Sequence, residues 1–86
     1  MLTDMDVYTW LDSRVDSSVS REAAESDLAA GEVEQAVFIL ADEANSAGAL
    51  TWQMLDTLLK EYPDGWMNEV FSYMKDSNSW KPSAAK

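Results

Sequence analysis

Apolar residues recur along this chain with the period of a helix, most persistently between Glu32 and Ala47. At 100° per residue, Val33, Ala36, Val37, Leu40, Ala41, Ala44 and Ala47 share one arc, while Glu32, Glu34, Gln35, Asp42, Glu43, Asn45 and Ser46 fill the other. The run Val37 to Leu40 could be read as a buried strand. The pattern persists over all of 32–47, however, and Gly31 and Gly48 bound both ends, so a helix is predicted. Phe38 and Ile39 break the pattern by projecting into the polar arc. Either other helices cover them or they form an apolar island for a partner.

The same reasoning predicts four further elements. A first helix over 4–16, capped by Thr3 or Asp4, carries Val7, Tyr8, Trp10, Leu11 and Val15 on one face. Its other face holds Asp6, Asp12 and Asp16 without a basic residue, and the like charges at 12 and 16 are locally unfavourable. Ser20 can cap a short alanine-rich helix over 21–30, in which Leu28 is the one large apolar residue and which Gly31 ends as a left-handed residue, an uninterrupted helix through Gly31 being the alternative. Thr51 caps a helix reaching Tyr62, and Pro63-Asp64-Gly65 reads as a turn. The fifth segment, 66–75, has six apolar or aromatic positions in ten, more than one face can bury. The expected fold is all-α, with four to five short helices around the central one at 32–47.

Length and composition narrow the picture. Eighty-six residues make one domain, placed at 1–76, able to bury only about 60% of its unfolded surface. Residues 77–86 are rich in Ser, Lys, Pro and Ala and are expected to be a mostly disordered tail in which Trp80 is the exception. No basic start followed by an apolar core suggests a secretion signal, and no apolar run approaches the roughly 20 residues of a membrane span, so a soluble, cytoplasmic protein is expected.

Cysteine and histidine are both absent. Disulfides, thiolate chemistry, imidazole proton relays and imidazole-based metal sites are thereby excluded, and zinc effectively so. The nearest approach to a calcium loop starts at Asp42 but has Ala44, Ser46 and Ala47 where two ligands and the glycine belong. No phosphate-binding glycine loop or serine elbow occurs, so neither catalytic residue nor cofactor is expected, and the protein is read as a non-enzyme.

Charge adds the most. The formal net charge is −10. Residues 1–50 hold eleven acids against two bases, Arg14 and Arg21, a net of −9, whereas residues 51–86 hold five acids against four bases. Such a field opposes direct nucleic-acid or anionic-membrane binding and favours a protein partner with a basic surface. Carboxylates one helical turn apart approximate the spacing of successive phosphates. The candidate acidic face comprises Asp6, Asp12, Asp16, Glu22, Glu25, Asp27, Glu34, Asp42 and Glu43; a charged face that merely keeps the protein in solution is the plainer reading. Candidate apolar contacts are Phe38, Ile39, Tyr73, Met74 and Trp80, with Trp10, Leu55, Leu59, Val70 and Phe71 assigned to the core.

The expected function is therefore a non-catalytic inhibitor or regulator that occupies a nucleic-acid-binding surface of another protein, as a DNA mimic does. Size, acidity and helical pattern are loosely similar to bacterial nuclease-immunity proteins. The single local echo, Glu61-Tyr62-Pro63-Asp64-Gly65, carries no residue roles across. The alternative is a structural or adaptor subunit that docks or homo-oligomerises through its aromatic, Met-rich C-terminal half.

Overall fold

The computed structural model of the chain describes residues 2–77 and is helical throughout its regular parts, with no strand among those residues. Five helices follow one another: α1 (Asp4–Arg14), α2 (Glu22–Ala29), α3 (Val33–Ser46), α4 (Trp52–Glu61) and α5 (Gly65–Ser77). Packing groups them into two compact units, one ending at Leu50 and one beginning at Thr51. The boundary coincides with the charge boundary. Nearly all of the net charge, −9, belongs to the first unit.

Local chemistry accounts for the helix ends. Thr3 opens α1 through a capping box: the Asp6 N–H donates to Thr3 Oγ1 at 3.0 Å, and the Thr3 N–H donates to Asp6 Oδ2 at 3.2 Å. Thr51 caps α4 with a single bond, its side chain accepting from the Met54 N–H at 3.2 Å. Gly31 and Gly48 take φ of +80° and +73° after α2 and α3. Each lets the chain fold back so that the next amide reaches a carbonyl five residues earlier, Glu32 to Asp27 at 2.8 Å and Ala49 to Ala44 at 2.7 Å.

Two expectations at helix ends change. α1 stops at Arg14 instead of continuing to Asp16, and Val15 is already extended at its C-cap. α2 begins one residue late, with Arg21 at the cap position, and Ser20 Oγ receives only a long 3.3 Å bond from the Glu22 N–H. Arg21 lies between these two helix ends, and its contacts are described below.

In the first unit α3 lies against both α1 and α2, as its long apolar arc predicts. Ala36, Val37, Leu40, Ala41 and Ala44 are fully enclosed, and small side chains there let neighbouring helices approach closely. Val7, Tyr8 and Leu11 of α1 complete that core with Val15, Val19, Ala24 and Leu50. In the second unit α4 lies against α5. Leu55 and Leu58 of α4 and Met67, Phe71 and Met74 of α5 are buried, and the Tyr62 and Phe71 rings meet at 6.2 Å in a tilted pair. The Asn68 amide donates to the Tyr62 carbonyl at 3.0 Å and so holds the turn between the helices. Leu55 and Phe71 are core as expected, whereas Trp10, Leu59 and Val70 are only half-buried. No helix among the described residues is long and apolar enough to cross a membrane.

Candidate interaction surfaces

The three acids assigned to the outer face of α1 are each engaged in holding the chain. Asp6 closes the capping box. Asp12 pairs with Arg21, Oδ1 to Nε at 2.8 Å. Asp16 accepts the Ser18 N–H at 2.8 Å, which with the Ser18 side chain and the nearby Arg21 charge holds its carboxyl below the ordinary value.

Arg21 is the residue that sequence reasoning missed. All its N–H groups are aimed at acceptors around the end of α1: Nε at Asp12 Oδ1, Nη1 at the carbonyls of Asp16 (2.9 Å) and Val19 (2.8 Å), and Nη2 at those of Asp12 (2.9 Å) and Val15 (3.0 Å). A guanidinium suits this task because its five donors are fixed in a plane and never lose their charge. It satisfies orphan carbonyls at a helix end, where a cation also meets the negative pole of the helix. The apparently unfavourable pair of Asp12 and Asp16 is thus accounted for: a cation from the following loop lies against it. The legible signal is a lone Arg just after an acidic helix end. Nothing in the periodicity says that it turns back.

Tyr8 reports on the same corner. Burial pushes its phenol above the ordinary value, the charges of Asp12 and Glu25 add to the shift, and Arg21 opposes it. Glu25 of α2 and Asp12 of α1 therefore act on one locality.

The remaining candidate acids differ in exposure. Glu22, Glu25, Glu34 and Glu43 are exposed, while Asp27 and Asp42 are half-buried. The outward face of α3 carries Gln35, Ile39, Asp42, Glu43 and Ser46, with Phe38 at its border. Phe38 and Ile39 are half-buried, so they form neither a fully covered layer nor a bare apolar island.

Exposed aromatics belong to the second unit. Trp52 and Trp66 keep 36% and 42% of their surface, and Tyr73 keeps 73%. Lys75 Nζ lies 4.7 Å from the centre of the Trp52 ring, a cation–π contact supplied by the chain itself. Met74, assigned above to a contact surface, is instead buried: with Met67 and Phe71 it makes the inner face of α5, and its neighbour Tyr73 faces outward. Trp80 lies outside the described residues.

Among the described residues no group of three or more Asp or Glu is arranged to hold a metal ion. Set against known proteins, the chain matches no family model, no curated sequence and no solved structure.

Proposed function

We propose that this chain is a non-catalytic binding protein of the cytoplasm whose first unit occupies a basic, nucleic-acid-binding surface of another protein. The observation that carries the reading is the placement of charge. The first unit holds a net of −9, one of its two bases is turned inward onto the end of α1, and Glu22, Glu25, Glu34 and Glu43 stand exposed on α2 and α3. Their field would speed encounter with a cationic surface and orient it, while nearby apolar groups, Ile39 and Phe38 foremost, would contribute most of the affinity.

The local roles of Asp6, Asp12 and Asp16 decide which acids the test should remove. Neutralising them would disturb α1 itself. The informative variant is E22Q/E25Q/E34Q/E43Q, compared with the wild type as bait in a nuclease-treated lysate eluted by a salt gradient. Basic nucleic-acid-binding proteins should be retained by the wild type and released from the variant at clearly lower salt. Equal retention by both baits would sink the electrostatic reading.

The second reading, an adaptor that docks through its C-terminal half, is favoured by the outward Trp66 and Tyr73. Self-association is the weaker form of it, because each copy carries −10.

A further inference from the structure

α5 has two faces of different character. Met67, Phe71 and Met74 form the buried one, at the i, i+4, i+7 spacing of a packed helix. Trp66 and Tyr73 lie seven residues apart on the other, which places them almost in line and about 10.5 Å apart along the axis. Glu69, exposed, and Val70, half-buried, stand between them on either side of that line. Tyr73 is the most exposed large hydrophobic residue described. The strip is therefore aromatic, acidic, aromatic.

This chemistry suits a cation carried on a flat group. A guanidinium can stack on a Trp or Tyr face while pairing with a carboxylate beside it, and an ammonium does the second without the first. Within the same unit Lys75 already sits over Trp52, so a cation on an exposed tryptophan is a contact this fold accommodates. The spacing narrows the occupant further. Side chains on one side of an extended segment recur at about 6.6 Å and then about 13 Å, neither of which matches, whereas a helix returns to the same face at about 10.5 Å after seven residues. A second copy of this chain is the weaker occupant, because the strip offers one carboxylate and no guanidinium of its own to stack on it.

We infer that the outward strip of α5, Trp66, Glu69 and Tyr73, docks a helical segment bearing arginines seven residues apart on one face, carried by the same basic partner. The inference rests on the reading that the partner is basic, and deepens it by naming a second point of attachment.

The test uses the full chain and three synthetic helix-forming peptides: one with arginines at the seven-residue repeat, one with lysines there, and one of the first composition with the arginines dispersed around the helix. Binding is followed by calorimetry and by amide chemical shifts. The first peptide should bind tightest, with shifts centred on Trp66, Glu69 and Tyr73, and Tyr73→Ala or Glu69→Gln should each weaken it about two- to fivefold. Tyr73→Ala should leave the thermal midpoint in place, since the side chain stands in solvent, so lost binding is not lost fold.

Equal binding of all three peptides, no effect of Tyr73→Ala, or no binding at all overturns the inference. So does a dimer that Tyr73→Ala dissociates, which would make the second copy the occupant. E22Q/E25Q/E34Q/E43Q separates the two readings. If it alone abolishes binding, the first-unit reading stands without the strip; if it changes nothing while Tyr73→Ala weakens binding, the strip stands without the first unit.

Discussion

Between Asp4 and Leu50 the enclosed residues are mostly small, with Ala24, Ala36, Ala41 and Ala44 beside Val7, Val15, Val19 and Val37, and Tyr8, Leu11, Leu40 and Leu50 as the large ones among them; from Thr51 onward they are Leu55, Leu58, Met67, Phe71 and Met74, all large. The first unit combines many modest side chains, from three helices and the segments joining them, with a few large ones, whereas the second relies on large ones alone. Small side chains bring helices close but bury little area each, so α2, whose one buried residue is Ala24, gains little from apolar burial. The Arg21 clasp compensates at that point by tying the start of α2 to the end of α1 with charged hydrogen bonds. Where the second unit has large side chains to spare, it leaves Trp66 and Tyr73 outside. Charge and aromatic surface thus fall in different units, and so do the two kinds of contact proposed here.

The contrast predicts opposite sensitivities. Removing volume should hurt the second unit most: Phe71→Ala, at a fully enclosed ring, should cost about 3–5 kcal/mol. Adding volume should hurt the first: Ala41→Leu, where no surface is left, should cost about 1–3 kcal/mol. Urea titration followed at probes in each unit checks both. Equal tolerance of Ala41→Leu and of an exposed substitution would break the comparison.

Next in size is the clasp. Arg21→Ala removes donors from four carbonyls and a carboxylate, and should cost about 2–3 kcal/mol, with exchange protection lost first at the end of α1 and across α2. Arg21→Lys should recover only part of this, because an ammonium cannot span acceptors arranged for a planar fork. Asp12→Asn should cost less than about 1 kcal/mol, its ion pair being half in solvent. Full rescue by lysine would show that charge, not geometry, does the fastening.

The smallest effects are those of pH. Asp16 titrates below its ordinary 3.8 in the folded chain, so its contribution is complete above that value and is lost as pH falls through the folded pKa. Asp16→Asn should flatten that part of the acid limb when thermal midpoints are compared between pH 5 and pH 2. Tyr8 is displaced the other way: its contribution is complete below 10.0 and is lost as pH rises above it, and Tyr8→Phe should remove that alkaline decline.

What the sequence determined by itself was most of what neighbours within one or two turns set, the end of α1 and the start of α2 excepted. Helical period, the Thr3 and Thr51 caps, the left-handed Gly31 and the helix end at Gly48 all follow from residues at most a few positions apart, and all appear where the pattern places them, while Gly65, read as part of a turn, is already the first residue of α5. The uneven charge was equally legible, because a count needs no coordinates. Two features required the tertiary structure. Asp12, Asp16 and Arg21 read as an unopposed acidic face followed by a loop, since nothing local specifies that a guanidinium nine residues on turns back to Asp12. Tyr73 and Met74 read alike as apolar candidates for contact. Adjacent residues on a helix point about 100° apart, and only the direction from which α4 packs on α5 sends Met74 inward and leaves Tyr73 in solvent.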